Sequence, residues 1–332
     1  MPKVTIYDVA EQSGVSIATV SRVLNSPHRV PDETRQRVLD SIDALGYVPK
    51  AEATARARRA HNRIGVLAPF FTYPSFVQRL RGVSEVLTET SYELVIYNVE
   101  SAQHLRGYLE SLPLTRWLDG LILMSIIVDD KTMQRLLAHN LQTVSIETSY
   151  PALSGVEIDN VGGGRLAAEY LLAQGHRLIA FVGGDSEIPG CTLQTSKLRL
   201  AGFRAILDAA DVPIPDRYIR VGEHGPDFAR RQAHALFDLA QPPTAIFAAS
   251  DTLAMGVLKA ARERGIQVPN DTAVIGFDDL DIADYVGLTT ICQSLDESGR
   301  VAVELLQARL ADPARPAQHV RLPLRVIQRE TA

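Results

Sequence analysis

Residues 5–25, TIYDVAEQSGVSIATVSRVLN, constrain this chain more than any other stretch. They predict two short helices joined by a tight turn. Thr5 is placed to cap the first helix, with Asp8 three positions on, the spacing of a capping box. Val9 and Ala10 face inward. Gly14 falls where the chain must reverse, and glycine enters the left-handed conformation such a turn needs without steric penalty. Ser16 is placed to cap the second helix, whose buried side is Val20, Val23 and Leu24 at helical spacing. The opposite side carries Ile17, Ala18, Thr19, Ser21, Arg22 and Asn25. These side chains are small, hydroxylated or basic, and allow close approach to a duplex. An ordinary helical hairpin is the plainer alternative. Ala10, Gly14 and Val20 weigh against it, because they supply close approach, a turn and a core contact where the crossing helices of a helix-turn-helix unit need them. The stretch therefore predicts a DNA-binding module with its second helix in a groove.

The chain has 332 residues, too many for one core, so two or three domains are expected. Its 46% hydrophobic and 22% charged content is that of a globular protein, not a disordered one. The net charge of −5 is unevenly placed. Residues 1–63 hold 10 of the 34 basic and 7 of the 39 acidic side chains, a balance of +3, which leaves −8 for the rest. A basic head on an acidic body fits a nucleic-acid module fused to a part that avoids nucleic acid. The two cysteines, Cys191 and Cys292, show no metal-type spacing, and nothing requires them to pair. No apolar signal core opens the chain, and the longest apolar run, 121–128, is too short to span a bilayer. A soluble cytoplasmic protein is expected.

After the opening pair, Pro31 with Asp32 and Glu33 starts a third helix that Gly46 stops. Val9, Val20, Val23, Val38 and Leu45 are its expected core. Residues 49–62, PKAEATARARRAHN, have high helix propensity but no large apolar anchor. They read either as a loose charged linker or, the preferred reading, as a segment that folds when DNA or a partner subunit holds it. From Arg63 onward strands and helices alternate, which predicts parallel sheets covered on both faces. The expected strands are 64–68, 92–97, 120–124 and 143–147, then, after a restart near Asp159, 178–182, 245–248 and 273–277, and a closing strand from Val320 to Arg329. Two such cycles predict an α/β body of two doubly wound lobes with a cleft between them.

Catalytic signatures are thin: the chain has no P-loop, nucleophile elbow or zinc helix. Gly162, Gly163 and Gly164 lack a dinucleotide-binding frame and fit close helix packing better. Asp278 and Asp279 follow an expected strand, where carboxylates face a ligand crevice. They fit hydroxyl binding better than acid–base work. His224, in a glycine-containing loop, is either a pocket or a surface residue. No catalytic residue, cofactor or metal is expected.

The order of headpiece, linker and two-lobed body resembles the LacI/GalR family of bacterial transcription repressors. The resemblance runs the whole length. It is most specific at residues 5–25, at ALGYVP before an Ala-rich stretch and IGVL, and at RLAGF, SDTLAMG and VIGFDD. It implies an all-α helix-turn-helix headpiece (1–48), a hinge (49–62) and a periplasmic-binding-protein-like core. The lobes of that core would be 63–159 with 292–321, and 160–291 with 322–332, joined by crossovers near Asp159, Ile291 and Leu322. It implies that Ile17, Ala18 and Arg22 reach base edges, with Arg22 suited to a bidentate guanine contact. Thr5, Ser16, Thr19, Ser21, Asn25, Thr34 and Tyr47 match phosphate-contacting positions. Phe71, Tyr73, Ser75, Glu147, Arg199, His224, Ser250, Asp251, Asp278 and Gln293 match positions of an effector pocket, where charged groups grip hydroxyls and aromatic faces stack on sugar rings.

The implied function is a repressor of sugar-utilisation genes. It binds a near-palindromic double-stranded DNA operator as a homodimer and responds to a mono- or disaccharide in the cleft. Two departures stand out. Arg56 occupies the place of the leucine that pries open a central base step in relatives, so it either enters a narrowed minor groove or sits in a loose linker. Ser250 stands where asparagine is common. The chain stops soon after the closing strand, without the heptad tail of tetrameric relatives, so a dimer is expected. A transport-type binding protein and a sugar hydrolase using Asp278 and Glu147 are the rivals.

Overall fold

The computed structural model describes residues 4–25, 29–47, 62–115, 117–185 and 194–332. Arg56 with nearly all of the expected hinge, Cys191, and the side chain of Asn25 lie outside what is described.

The headpiece consists of α1 (Ile6–Ser13), α2 (Ile17–Asn25) and α3 (Asp32–Leu45). Its local chemistry follows the sequence. The backbone N–H and the hydroxyl of Thr5 both donate to Asp8 Oδ2 at 2.7 Å. Gly14 turns the chain at φ 65°, and Thr19 N–H donates to Ser16 Oγ at 3.1 Å. Val9, Val20, Val38 and Ile42 are fully buried at its centre, with Leu45 at the edge.

The body holds two six-stranded sheets. The first contains β1 (Arg63–Pro69), β2 (Glu93–Val99), β3 (Gly120–Met124), β4 (Gln142–Ile146), β5 (Ser154–Glu157) and the late β11 (His319–Arg321), in the order β2-β1-β3-β4-β5-β11. The second contains β6 (Ile179–Asp185), β7 (Ile219–Glu223), β8 (Ala245–Ala248), β9 (Ala273–Asp278), β10 (Thr289–Cys292) and β12 (Arg325–Ile327), in the order β7-β6-β8-β9-β10-β12. Every pairing is parallel except β10 with β12. Helices α4 (Pro74–Thr88), α5 (Ala102–Thr115), α6 (Asp130–Ala138) and α12 (Leu295–Ala311) flank the first sheet. Helices α7 (Asn160–Ala173), α8 (Thr195–Ala209), α9 (Pro226–Phe237), α10 (Asp251–Arg264) and the short α11 (Asp281–Tyr285) accompany the second. The chain passes between the sheets at 158–160, 293–294 and 322–324.

The expected single closing strand is instead two strands, β11 and β12, one in each sheet. Pro323, which has no N–H for a ladder, sits in the gap between them. Elements β5, β7, β10, α6 and α11 carry no clear periodic signal and were not expected. In α6, for example, only Arg135 and Leu136 are buried.

The glycine cluster works by contact. A Cβ on Gly164 would lie 1.9 Å from the Arg199 carbonyl oxygen, and one on Gly202 would lie 1.9 Å from that of Val161. Helices α7 and α8 therefore touch backbone to backbone. Gly164→Ala must push them apart and should lower stability by about 1–3 kcal/mol. An unchanged denaturation midpoint would contradict this contact.

The headpiece does not hang free. Leu114 of α5 is buried within the headpiece core. Arg35 Nε of α3 donates to Glu110 Oε2 of α5 at 2.9 Å. Arg135 of α6 reaches Asp43 at 2.5 Å, and Lys131 reaches Asp40 at 3.1 Å. Arg35 and Arg135 are both buried.

Candidate functional site

In doubly wound sheets the carboxyl ends of the strands open onto a crevice where the strand order reverses. Here the two crevices face each other and line one cavity. Its wall includes Phe70 after β1, Ser125 after β3, Glu147 after β4, Ser250 after β8, Asp278 at the end of β9 and Gln293 after β10. Four of these are non-glycine residues at positive φ: Phe70 at 53°, Ser125 at 57°, Glu147 at 73° and Asp278 at 126°. Such strained backbone gathers where side chains must be aimed at a ligand.

The polar groups form a chain across the cleft. Arg79 Nη2 of α4 donates to Glu147 Oε1 at 2.6 Å and to Gln293 Oε1 at 3.0 Å. Gln293 Nε2 donates to Asp278 Oδ1 at 2.5 Å. Arg199 lies 3.8 Å from Asp278 and donates to Asn160 Oδ1 at 2.9 Å and to the Ala249 carbonyl at 2.5 Å. Its guanidinium covers Phe277, 3.5 Å from the ring centre. The Ser125 hydroxyl donates to Glu147 Oε2. At the mouth Tyr73 stacks on His224, 5.2 Å between centres and 20° between planes. Outside the cavity Arg81 of α4 bridges Asp281 at the start of α11, at 2.5 Å, and Asp296 of α12, at 2.6 Å. The free volume is about 100 Å3, below the roughly 300–1,000 Å3 of ordinary small-molecule pockets. The space is therefore small for a sugar-sized ligand, with the Tyr73–His224 pair at its edge.

Burial works against the charge of Glu147, but Arg79 and Ser125 hold its carboxyl below the usual range. Burial pushes Asp278 up to about 6, against the pull of Arg199 and Arg79. Burial and the neighbouring Asp278 push Asp251 up as well, and burial with Arg199 lowers His224. The unfolded chain loses the Asp278 proton near 3.8, while the folded protein keeps it to about 6. Stability from this group is therefore present below that window and lost as pH rises through it. Asp278→Asn should gain stability relative to the parent over the same rise. A pH-independent difference between their thermal midpoints would refute the shift.

Of the ten expected pocket residues, eight line the cavity: Tyr73, Ser75, Glu147, Arg199, His224, Ser250, Asp278 and Gln293. His224 is thus a cleft residue, not a surface one. Two expectations need correction. Phe71 packs against the first lobe's core and its neighbour Phe70 takes the wall position, because the turn at Phe70 reverses the chain. Asp251 is fully buried behind the wall. Its carboxylate accepts from Leu280 N–H at 2.8 Å and from the Thr290 hydroxyl at 2.5 Å, and so holds the loop that presents Asp278. Arg79 was missed. A signal existed, since it sits on the buried stripe formed by Phe76, Leu80, Val83 and Leu87, where a cation is out of place.

On the headpiece, Ile17, Ala18 and Arg22 are exposed on α2, with Ser16 beside them. Thr5, Thr19, Ser21 and Thr34 are half-buried, and the hydroxyls of Thr5 and Thr19 are engaged in the caps. Tyr47 is a correction: its ring is 3% exposed within the headpiece core, held by packing and not displayed for a phosphate. The docked lobe leaves the reading face of α2 open.

A helix-turn-helix headpiece mounted on a two-lobed, cleft-bearing α/β body defines a ligand-responsive DNA-binding regulator. Residues 5–50 match the bacterial regulatory proteins of the lacI family, and residues 168–332 match a periplasmic binding protein-like domain. The chain is 33% identical over 333 residues to catabolite control protein A of Priestia megaterium, covering 99% of each. A transcriptional regulator CelR–cellobiose complex superposes with a TM-score of 0.72 at 29% identity, over 99% of this chain and 100% of that one. The lac repressor dimer bound to operator and an anti-inducer gives 0.69 at 27% identity, over 99% of each chain. The chain belongs to the lacI family of bacterial regulatory proteins and is a DNA-binding transcription regulator. No helix among the described residues is long and apolar enough to cross a membrane.

Proposed function

We propose that this protein represses sugar-utilisation genes from the cytoplasm. It binds a near-palindromic operator as a dimer and changes its DNA affinity when a mono- or disaccharide enters the interlobe cavity. The domain division is residues 1–48 for the headpiece and 49–62 for the hinge. The lobes are 63–159 with 292–321, and 160–291 with 322–332. The observation that carries this reading is the combination, in one chain, of an open reading face on α2 with an interlobe cavity walled by aimed polar groups. Cellobiose bound to one structural relative supports a sugar, and the operator-bound dimer of another supports the DNA partner. Ile282 and Tyr285 of helix α11 and Val286 just after it are exposed, an apolar face suited to a second subunit. Glu147 is held by Arg79 and Asp278 by Gln293, and no nucleophile or metal set accompanies them among the described residues, so the reading is of a protein that binds its sugar unchanged.

Selection of an operator from random duplexes, followed by gel shift with and without a sugar panel, tests the reading. Arg22→Ala should lose about 1–3 kcal/mol of discrimination at one operator position. Failure to enrich any duplex would favour a sugar-binding protein without a regulatory DNA role, and turnover of glycosides would favour an enzyme.

A further inference from the structure

We propose that the cavity takes a ligand with an anionic group, a carboxylate or phosphate on a monosaccharide-sized polyol, and that Arg79 anchors the anion. This rests on the cavity being the effector site. Arg79 is 1% exposed and is the largest fully buried side chain among the described residues. A guanidinium has five N–H donors in a planar fork. Nη2 makes the two bonds to Glu147 and Gln293, while Nε is buried with no partner. A buried, unpartnered donor on a charged group is costly, and native interiors rarely leave one without a reason.

Most of the carboxylate oxygens around it already accept from the protein. Glu147 Oε1 receives Arg79 and Oε2 receives Ser125. Asp278 Oδ1 receives Gln293. Across the cavity stands a second guanidinium, Arg199, and the hydroxyls of Ser75 and Thr195 reach the same wall. The wall thus sets two guanidiniums beside carboxylates whose oxygens, Asp278 Oδ2 apart, already accept from the protein. A neutral polyol needs both donors and acceptors, because each hydroxyl must donate as well as accept. A carboxylate or phosphate needs donors alone, and a planar guanidinium fork suits it. Tyr73 and His224 offer a pair of ring faces at the mouth, and burial keeps His224 from adding charge. A purely internal role for Arg79, neutralising Glu147, accounts for the Nη2 bonds; its Nε, like that of Arg135 outside the cavity, is buried without a partner.

The test is calorimetry and thermal shift on the full chain at millimolar ligand, with matched sets: glucose, glucuronate and glucose 6-phosphate; galactose and galacturonate. An anionic member should bind at least about tenfold more tightly than its neutral parent. Preference between the acid and the phosphate identifies which anion the site is shaped for. Arg79→Lys should weaken that binding. Because Arg79→Met alone strands Glu147 and threatens folding, the double variant Arg79→Met with Glu147→Met removes both charges together. It should level the preference while still binding operator DNA. Equal or tighter binding of neutral sugars, no response to any anionic member, or an unchanged preference in the double variant would each overturn the proposal. A neutral sugar that releases operator sinks this inference and leaves the proposed function standing. If no small molecule alters operator binding, the reading beneath both fails.

Discussion

Replacing Arg199 by alanine should abolish effector-induced stabilisation and also lower the stability of the apo protein by about 3–5 kcal/mol, the usual result of stranding a buried partner. Arg199 is 5% exposed and does more than face the cavity. It ties Asn160 at the start of α7 to the Ala249 carbonyl after β8, and it covers Phe277. Alanine would leave Asn160 and Asp278 without their cationic neighbour at the centre of the second lobe. Arg199→Lys keeps a cation but loses the planar fork, so it should fold better than alanine and still respond poorly to ligand. Operator affinity of the folded fraction should remain, since α2 lies in the headpiece. Denaturant titration and ligand-dependent thermal shift, read side by side, separate the two effects. A variant as stable and as responsive as the parent would displace Arg199 from the site.

The second large effect is expected at the contact between headpiece and first lobe. Arg35 is buried against Glu110, whose side chain is 16% exposed. Glu110→Ala should loosen the docking of the headpiece, because it leaves the buried Arg35 guanidinium with Asp32 as its remaining carboxylate partner. We expect operator affinity to weaken about tenfold, or about 1.4 kcal/mol, because the headpiece must then be ordered on DNA at the expense of its freedom. A charge exchange, Arg35→Glu with Glu110→Arg, should recover part of the affinity, and the double-mutant cycle gives the coupling directly. Zero coupling would mean that the docked arrangement does not matter for DNA binding.

The headpiece was legible in the sequence because its determinants are local. Thr5, Asp8, Gly14, Ser16 and Gly46 act within a few residues of themselves, so caps and turns can be read one after another. The strongly buried strands β3, β8 and β9 were equally plain as short apolar runs. Edge strand β7, half exposed along its length, gave no comparable pattern. The role of Asp251 was misread for a related reason. Its distance from the cavity depends on Leu280 and Thr290, 29 and 39 residues away, and no local feature distinguishes a wall residue from one behind it.

What the sequence determined by itself, then, is the alternation of elements, the helix-turn-helix unit and the family to which the chain belongs, since each rests on periodicity or on contiguous motifs. Only the tertiary structure decided that the closing segment divides between two sheets, that the headpiece docks on α5 and α6, and that Arg79 turns from a helix stripe into the cleft. The physical reason is common to all three. Each is settled by partners far apart in sequence, and the energy of a buried charge or a shared strand edge exists only once the fold has brought those partners into contact.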